Sequence, residues 1–176
     1  MRKLYLALLF SLFIPSISSA EGMFSIFVDS VDTYPFIVIN KQYLTLYLID
    51  STGVVLRHYD VACAKNYGNK TDIGDNRPPE GIFKISHIID SKDWKHDFGD
   101  GKGLITDAYG PFFFRWDVPN FNDIGLHGTH LPESIGTRAT EGCVRMLNED
   151  IYELKKLINV GTPILVLPDP VIDTLY

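Results

Sequence analysis

Cysteine is scarce in this chain, which holds only Cys63 and Cys143. Two cysteines cannot build a disulfide-dense scaffold or a four-thiolate metal site. Basic clusters are lacking too. With 16 Lys+Arg against 22 Asp+Glu the formal charge is −6, and no Lys/Arg run tracks a phosphate backbone. That argues against nucleic acid and against anionic membrane surfaces as partners. No apolar run is long enough for a membrane span. The nearest, Leu4 to Ile14, falls short of the roughly 20 residues that a spanning helix needs. Repeats, low-complexity tracts and linkers are missing as well, so the chain divides into no obvious modules.

What is present at the start is Met1, Arg2 and Lys3, then that short apolar run, Pro15, and a serine-rich stretch ending Ser18, Ser19, Ala20. This is the build of a secretory signal peptide over residues 1–20, the alternative being an uncleaved anchor. Cleavage after Ala20 leaves 156 residues, enough for one domain with a sizeable core. Arg2 and Lys3 leave with the signal, so the mature chain carries 14 bases against 22 acids, a charge of −8. No cysteine stands near the cut to take a lipid.

Residues 21–33 form a short lead-in. From Tyr34 the pattern becomes strand, turn, strand. Phe36–Asn40 and Tyr43–Ile49 are apolar and β-branched with Lys41 and Gln42 as a turn, Asp50 to Gly53 is a strong turn signal, and Val54–Ala62 returns. Residues 67–79 read as a loop. Gly81 to Ile85 follows as a strand entered through a Pro–x–Gly turn, with Phe83 and Ile85 on one face and Lys84 on the other. Ser91 to Gly103 is predicted to be a long loop rich in charge and aromatics, either a binding loop or a solvated one. Tyr109 to Trp116 is an aromatic strand. Asn148 is predicted to be a helix N-cap, with Glu149 and Asp150 in the first turn and Lys155 and Lys156 in the last. Its apolar stripe is Ile151, Leu154, Leu157 and Ile158, and Gly161 ends it. Residues 163–167 close the sheet, and residues 169–176 read as a C-terminal tail.

The segment from Ile124 to Asn148 carries the chemistry. His127 is followed by Gly128 and Thr129; Cys143 stands 16 positions on, behind Gly142, with Arg145 two further. A thiol becomes a good nucleophile when a base takes its proton, and an imidazole is such a base. A glycine before the nucleophile lets backbone N–H groups approach an oxyanion. The set reads as a candidate Cys–His acyl-transfer site. In an exported protein two cysteines also suggest a disulfide. A nucleophile must be free, however, and Cys63 in Val61–Ala64 reads as a buried structural thiol.

The order His127, Gly128, Thr129, Ser134, Ile135, Gly136, Thr140, Gly142, Cys143, Val144, Arg145, Met146, Asn148, Asp150 resembles the signature of the L,D-transpeptidase catalytic domain (YkuD-type) family. Pro79, Gly81, Phe83 and Ile85 resemble a second family element, and Tyr109 to Trp116 a third that lines the substrate groove. The resemblance runs from about Tyr43 to about Leu167. Two departures stand out: Thr140 where serine is usual, and Glu141 where many members have a second histidine.

The resemblance implies a β-rich fold, a twisted sandwich-like or closed sheet with short helices, filling residues 34–168, with the catalytic cysteine on a loop before a helix. It implies that His127 takes the Cys143 proton, that the Gly128 carbonyl orients the imidazole, and that the Gly142 and Cys143 N–H groups hold the oxyanion. The thiolate attacks a peptidoglycan stem peptide between the L-centre of a diamino acid and D-alanine. D-alanine leaves, and an amine or water resolves the thioester. Arg145 holds a carboxylate or shapes the pocket, and Thr129, Thr140, Tyr109 and Glu141 fall at substrate-binding positions. No cofactor is implied, and the expected place is the periplasm or cell envelope, without membrane association after cleavage. The alternatives are an L,D-carboxypeptidase or hydrolase of the same peptides, and a non-catalytic wall-binding module. His127, His130 and Cys143 could be drawn as a zinc site, but Gly128 and Thr129 suggest a strand end rather than a helix face presenting both rings.

Overall fold

Alternation decides the first hairpin. In β1 (Phe36–Asn40) and β2 (Thr45–Ile49) every second residue is buried, which puts Ile37, Ile39, Leu46 and Leu48 in the core. The turn between them is tied by the Asn40 carboxamide oxygen, which accepts the Gln42 and Tyr43 N–H groups. After β2 the Asp50 carboxylate accepts the Thr52 and Val54 N–H groups and turns the chain into β3 (Val55–Asp60). The computed structural model describes residues 34–170. The expected signal peptide, the lead-in and residues 171–176 lie outside the described residues.

Beyond the short β4 (Cys63–Ala64), β5 (Gly81–Asp90) is the longest strand. Ile85 is buried on one face, and Lys84 is exposed on the other. The predicted loop from Ser91 is partly a hairpin, because β6 (His96–Asp97) pairs with β7 (Leu104–Ile105). The aromatic strand starts later than its composition suggests, as β8 (Phe112–Trp116). The later start has a physical cause: Pro111 has no N–H to give a ladder, and Gly110 turns the chain just before it. β9 (Gly125–His127), a 3-10 turn at Pro132–Ser134, β10 (Arg138–Thr140) and β11 (Val144–Arg145) follow. Helix α1 (Asn148–Leu157) and β12 (Pro163–Val166) complete the chain.

Eight strands join in one curled sheet in the order β11-β9-β8-β5-β12-β1-β2-β3, and α1 is the one α-helix among the described residues. β12 is central, parallel to β1 and antiparallel to β5. The expected β-rich fold is therefore present, built on a single curled sheet. Ile151, Leu154 and Ile158 dock α1 into the core made by Leu126, Val144, Met146, Ile164 and Val166. Burying each such side chain is worth up to about 1.5–3 kcal/mol.

Two helix details differ from expectation. Leu157 is 37% exposed: at about 100° per residue it lies roughly 120° round from Ile151, off the buried stripe. Asn148 is the first helical residue, and Leu147 takes the extended N-cap conformation without a capping bond. The Asn148 side chain is engaged elsewhere, as described below. The turn residue Lys41 is also unexpected, since its side chain is wholly buried. Its ammonium meets the carboxylates of Glu80 and Asp169. Asp169 also pairs with Arg138 and accepts the Gly68 N–H at 2.7 Å. The predicted tail thus begins with a residue bound tightly to the domain.

Candidate active site

Three strands bring the motif together. β8 pairs antiparallel with β9, setting Phe113 opposite His127. β11 runs parallel to β9, setting Arg145 opposite His127 and Val144 opposite Leu126. The 16-residue separation of base and nucleophile is therefore an excursion that leaves one strand and returns beside it. Cys143 sits where it returns, one residue before β11, so a short strand intervenes between the nucleophile loop and α1.

Glycine is needed twice here. Gly142 has φ +146°, and a Cβ there would meet the Arg77 carbonyl at 3.3 Å. A Cβ on Gly128 would strike the Asn148 carboxamide and the Pro111 ring. That carboxamide oxygen accepts the Thr129 N–H at 2.7 Å. Asn148 thus spends its side chain on the histidine loop rather than on its own helix, tying the base to the start of α1.

The His127 ring is 2% exposed, stacked on Phe113 at 5.6 Å and met edge-on by Tyr109 at 4.9 Å. Its Nδ1 lies 2.6 Å from the Gly128 carbonyl. A carbonyl only accepts, so Nδ1 carries the hydrogen and Nε2 keeps its lone pair. Burial, then the neighbouring Arg145 charge, push the imidazole pKa down to about 3, against the opposing Gly128 bond. Burial pushes the Cys143 thiol up to about 11, while the Gly125 N–H and the Lys70 and Arg145 charges pull the other way. The resting pair is a neutral thiol and a neutral imidazole. The thiol points to the Asp123 carbonyl, 3.4 Å away. Thr140 donates its hydroxyl to the Cys143 carbonyl at 2.6 Å and so anchors the nucleophile.

These groups line a cavity of about 200 Å³, with His96, Phe98, Tyr109 and Glu141 around Cys143, His127 and Arg145. Arg145 is 3% exposed, and its guanidinium donates to the Ser134 hydroxyl at 2.9 Å. Burial lowers its pKa. Glu141 lies at the mouth, 3.4 Å from the His96 ring and 3.9 Å from the Lys65 ammonium. Of the expected substrate contacts, Tyr109, Thr140, Glu141 and Arg145 reach the cavity and Thr129 does not. Its hydroxyl accepts the Leu131 N–H at 2.8 Å and its N–H is held by Asn148, so both polar groups serve the turn. His130 directs Nδ1 at the Ala108 carbonyl, 3.2 Å away, and stacks against Phe98.

Motif spacing alone does not reveal His96, Phe98, Asp123 or Lys70. The concentration of charge and aromatics from Ser91 to Gly103 was the one signal for the first two. Both cysteines are free, Cys63 fully buried and Cys143 partly exposed, and burial drives the Cys63 pKa up to about 12.

A sequence profile of the L,D-transpeptidase catalytic domain (YkuD) matches residues 34–166. The Bacillus subtilis (strain 168) protein named "Putative L,D-transpeptidase YqjB" is 28% identical over 137 residues, 77% of this chain and 72% of that one. An L,D-transpeptidase from Mycobacterium smegmatis superposes with a TM-score of 0.54 at 18% identity, over 76% of this chain and 58% of that one. The catalytic domain of the E. faecium L,D-transpeptidase superposes with a TM-score of 0.54 at 19% identity, over 77% of this chain and 97% of that one. The two structures share the fold, and the profile spans the strands, the histidine loop and the nucleophile. The chain belongs to the L,D-transpeptidase catalytic domain family.

Proposed function

We propose that this enzyme is exported and acts on peptidoglycan stem peptides through a Cys143 thioester. The observation that carries the reading is the 2.6 Å bond from His127 Nδ1 to the Gly128 carbonyl, which leaves Nε2 as an acceptor in the cavity that holds Cys143. In this reading the thiol leaves the Asp123 carbonyl and gives its proton to Nε2. Sulfur attacks the carbonyl between the L-centre of the diamino acid and D-alanine, and the N–H groups of Gly142 and Cys143 hold the oxyanion. The proton on Nε2 passes to the departing D-alanine nitrogen. An acceptor amine then attacks the thioester, His127 takes its proton, and sulfur leaves with the product bonded as an amide.

Transfer to an amine is favoured over transfer to water by the walls of the cavity. Tyr109, Phe98 and Ile124 present apolar surface around the thioester, which limits free water there. Glu141 is already engaged with His96 and Lys65. It acts as part of the mouth rather than as a free anion beside the nucleophile.

Purified muropeptides with an acceptor amine, followed by mass spectrometry, test the reading. The expected result is a Cys143 acyl adduct with release of D-alanine, then dimer or amine adduct. Tripeptide as the sole product would replace transpeptidation with carboxypeptidase action at the same site. No adduct at Cys143 would overturn the mechanism. Export is tested by sequencing the N-terminus of the secreted protein, with Glu21 expected first.

A further inference from the structure

Residues 65–80, between β4 and β5, contain no strand, yet they are tied down along their length. The Lys65 N–H meets the Thr140 carbonyl at 2.9 Å, the Asn66 N–H meets the Asn76 carbonyl at 2.9 Å, and the Lys70 N–H meets the Pro78 carbonyl at 3.1 Å. Within this loop the Asp75 carboxylate accepts the N–H groups of Thr71, Asp72 and Arg77 at 2.8, 3.1 and 3.0 Å. Bonds of that kind are enough to hold a turn. The Lys70 ammonium nevertheless joins them, 2.9 Å from the Asp75 carboxylate and 3.1 Å from the Asp72 carbonyl, and both side chains are almost wholly buried. Burying an ammonium is costly, and a buried pair often adds little net stability.

The position of that ammonium gives it another use. A Cβ on Gly142 would stand 3.3 Å from the Arg77 carbonyl and 3.8 Å from Lys70 Nζ. The cation therefore lies behind the glycine that precedes the nucleophile. The centre of the Phe121 ring is 5.1 Å from it. Lys70 also lines a hollow of about 560 Å³, and Asp123, Ile124 and Glu141 are walls of that hollow and of the catalytic cavity alike. Burial raises the Cys143 pKa and the Gly125 N–H lowers it; among the charges Lys70 lowers it most, ahead of Arg145, and Asp123 opposes them. His96, Tyr109, His127 and Glu141 are the other titratable groups around the sulfur in its cavity.

We propose that Lys70 is a positioning residue for acylation, seating the Gly142 turn from behind and presenting a fixed positive charge to the sulfur and the oxyanion as they become negative. Asp75 holds the ammonium in that place. The resting thiol and the substrate carbonyl are neutral, so the charge acts more strongly on the transition state than on the ground state. The assignment rests on the Cys143 reading above and adds to it a residue 73 positions before the nucleophile.

The experiment compares the wild type, Lys70→Met and Asp75→Asn in two measurements. Alkylation of Cys143 by iodoacetamide is followed against pH by intact mass and peptide mapping, with no stem present. Acylation by a tetrapeptide stem then gives kcat and KM. Lys70→Met should move the alkylation profile to higher pH by about half a unit or more. It should lower kcat for acylation roughly tenfold with KM unchanged, the mark of an interaction made in the transition state. Asp75→Asn breaks the same pair but keeps the cation. A pair that only staples the loop would slow Cys143 in both variants alike. A charge acting on the sulfur should leave Asp75→Asn alkylated at least as fast as the wild type. Slower alkylation in Asp75→Asn would overturn the assignment, and that result decides even where Lys70→Met does not fold. An unchanged profile and kcat in Lys70→Met would overturn it as well. If wild-type Cys143 is alkylated but takes no acyl group from the stem, the peptidoglycan reading fails, while the alkylation profiles still decide the role of Lys70. A Cys143 that iodoacetamide does not modify at any pH would overturn both.

Discussion

Of the places among the described residues that bury a cation, two are built in opposite ways. At one, Lys41 is wholly buried, and its ammonium meets Glu80 and Asp169, with Arg138 completing a four-residue set. At the other, Arg145 is almost as deeply buried with a single hydroxyl for company. The first set is closed. Its charges balance, and it clamps four distant stretches of chain together. The second is open, facing the cavity that holds Cys143. A matched buried pair reports on the fold. An unmatched one, held in place by the same fold, reports on something the protein is built to meet.

The comparison can be broken at either end, and the largest effect is expected at the open one. Cys143→Ala should abolish acylation, and His127→Ala should reduce it roughly a thousandfold or more, since base and nucleophile act as a unit. Unfolding in urea should show both variants folded, and retained turnover in Cys143→Ala would discard the assignment. At the closed end, Asp169→Ala strips the shared anion from Lys41 and Arg138. It should destabilise the protein by about 3–5 kcal/mol, read as a lower urea midpoint. The folded fraction should acylate at the wild-type rate.

Arg145→Met sharpens the contrast, because the same kind of change should act with the opposite sign on stability. Removing an unpaired buried guanidinium should leave the unfolding free energy unchanged or raise it by about 1 kcal/mol, read from the urea midpoint. Acylation should fall roughly tenfold or more as the cavity loses its buried positive charge. A loss of stability equal to that of Asp169→Ala would mean that Arg145 is a structural residue after all.

Acid and base should act on the open end in a definite direction. His127 resists protonation down to about 3 when folded, against an ordinary 6.5. Its contribution to stability is thus complete above pH 6.5 and is lost as pH falls toward 3, at a slope of at most ~1.4 kcal/mol per pH unit. Cys143 is raised to about 11 from an ordinary 9.0, so its contribution is lost as pH climbs through that range. Urea midpoints measured against pH should show His127→Gln flattening the acid limb and Cys143→Ala flattening the alkaline one. The smallest effect is expected at the rim. Glu141→Gln loosens contacts of 3.4 and 3.9 Å that are partly in solvent. It should change the ratio of amine adduct to tripeptide by no more than a few fold.

The open end was largely legible in the sequence, and the closed end was not. His127, Gly128, Gly142, Cys143 and Arg145 fall within 19 consecutive positions, and their chemistry is a matter of residue type and order. The strands were equally readable, because Ile37, Ile39, Leu46 and Leu48 alternate as a half-buried strand must. Asn148 was misread for a physical reason. Its position suits an N-cap, but a carboxamide can bond wherever a stronger need exists, and the Thr129 N–H lies 19 residues away. Lys41 does lie in the turn, but its burial was not legible, because its partners Glu80 and Asp169 are 39 and 128 positions distant. Local pattern carries no information about such pairings. The same holds for Phe98 and His96, whose place in the cavity depends on how a hairpin folds back over the sheet.

The parallel pairing of β9 with β11 has a consequence for how such an enzyme can change over time. Base and nucleophile are positioned by adjacent strands, and the Asn148 carboxamide bolts the second strand's exit to the first strand's loop. The chain between them, through Pro132 and Gly136, is a detour that touches the nucleophile's backbone only near its end, at Thr140. Away from Ser134 and Thr140, which hold Arg145 and the Cys143 carbonyl, that detour can change, and with it the surroundings of the substrate, without realigning the sulfur and the ring. The span between histidine and cysteine is a place for innovation, and the rung on which they meet is where drift is checked.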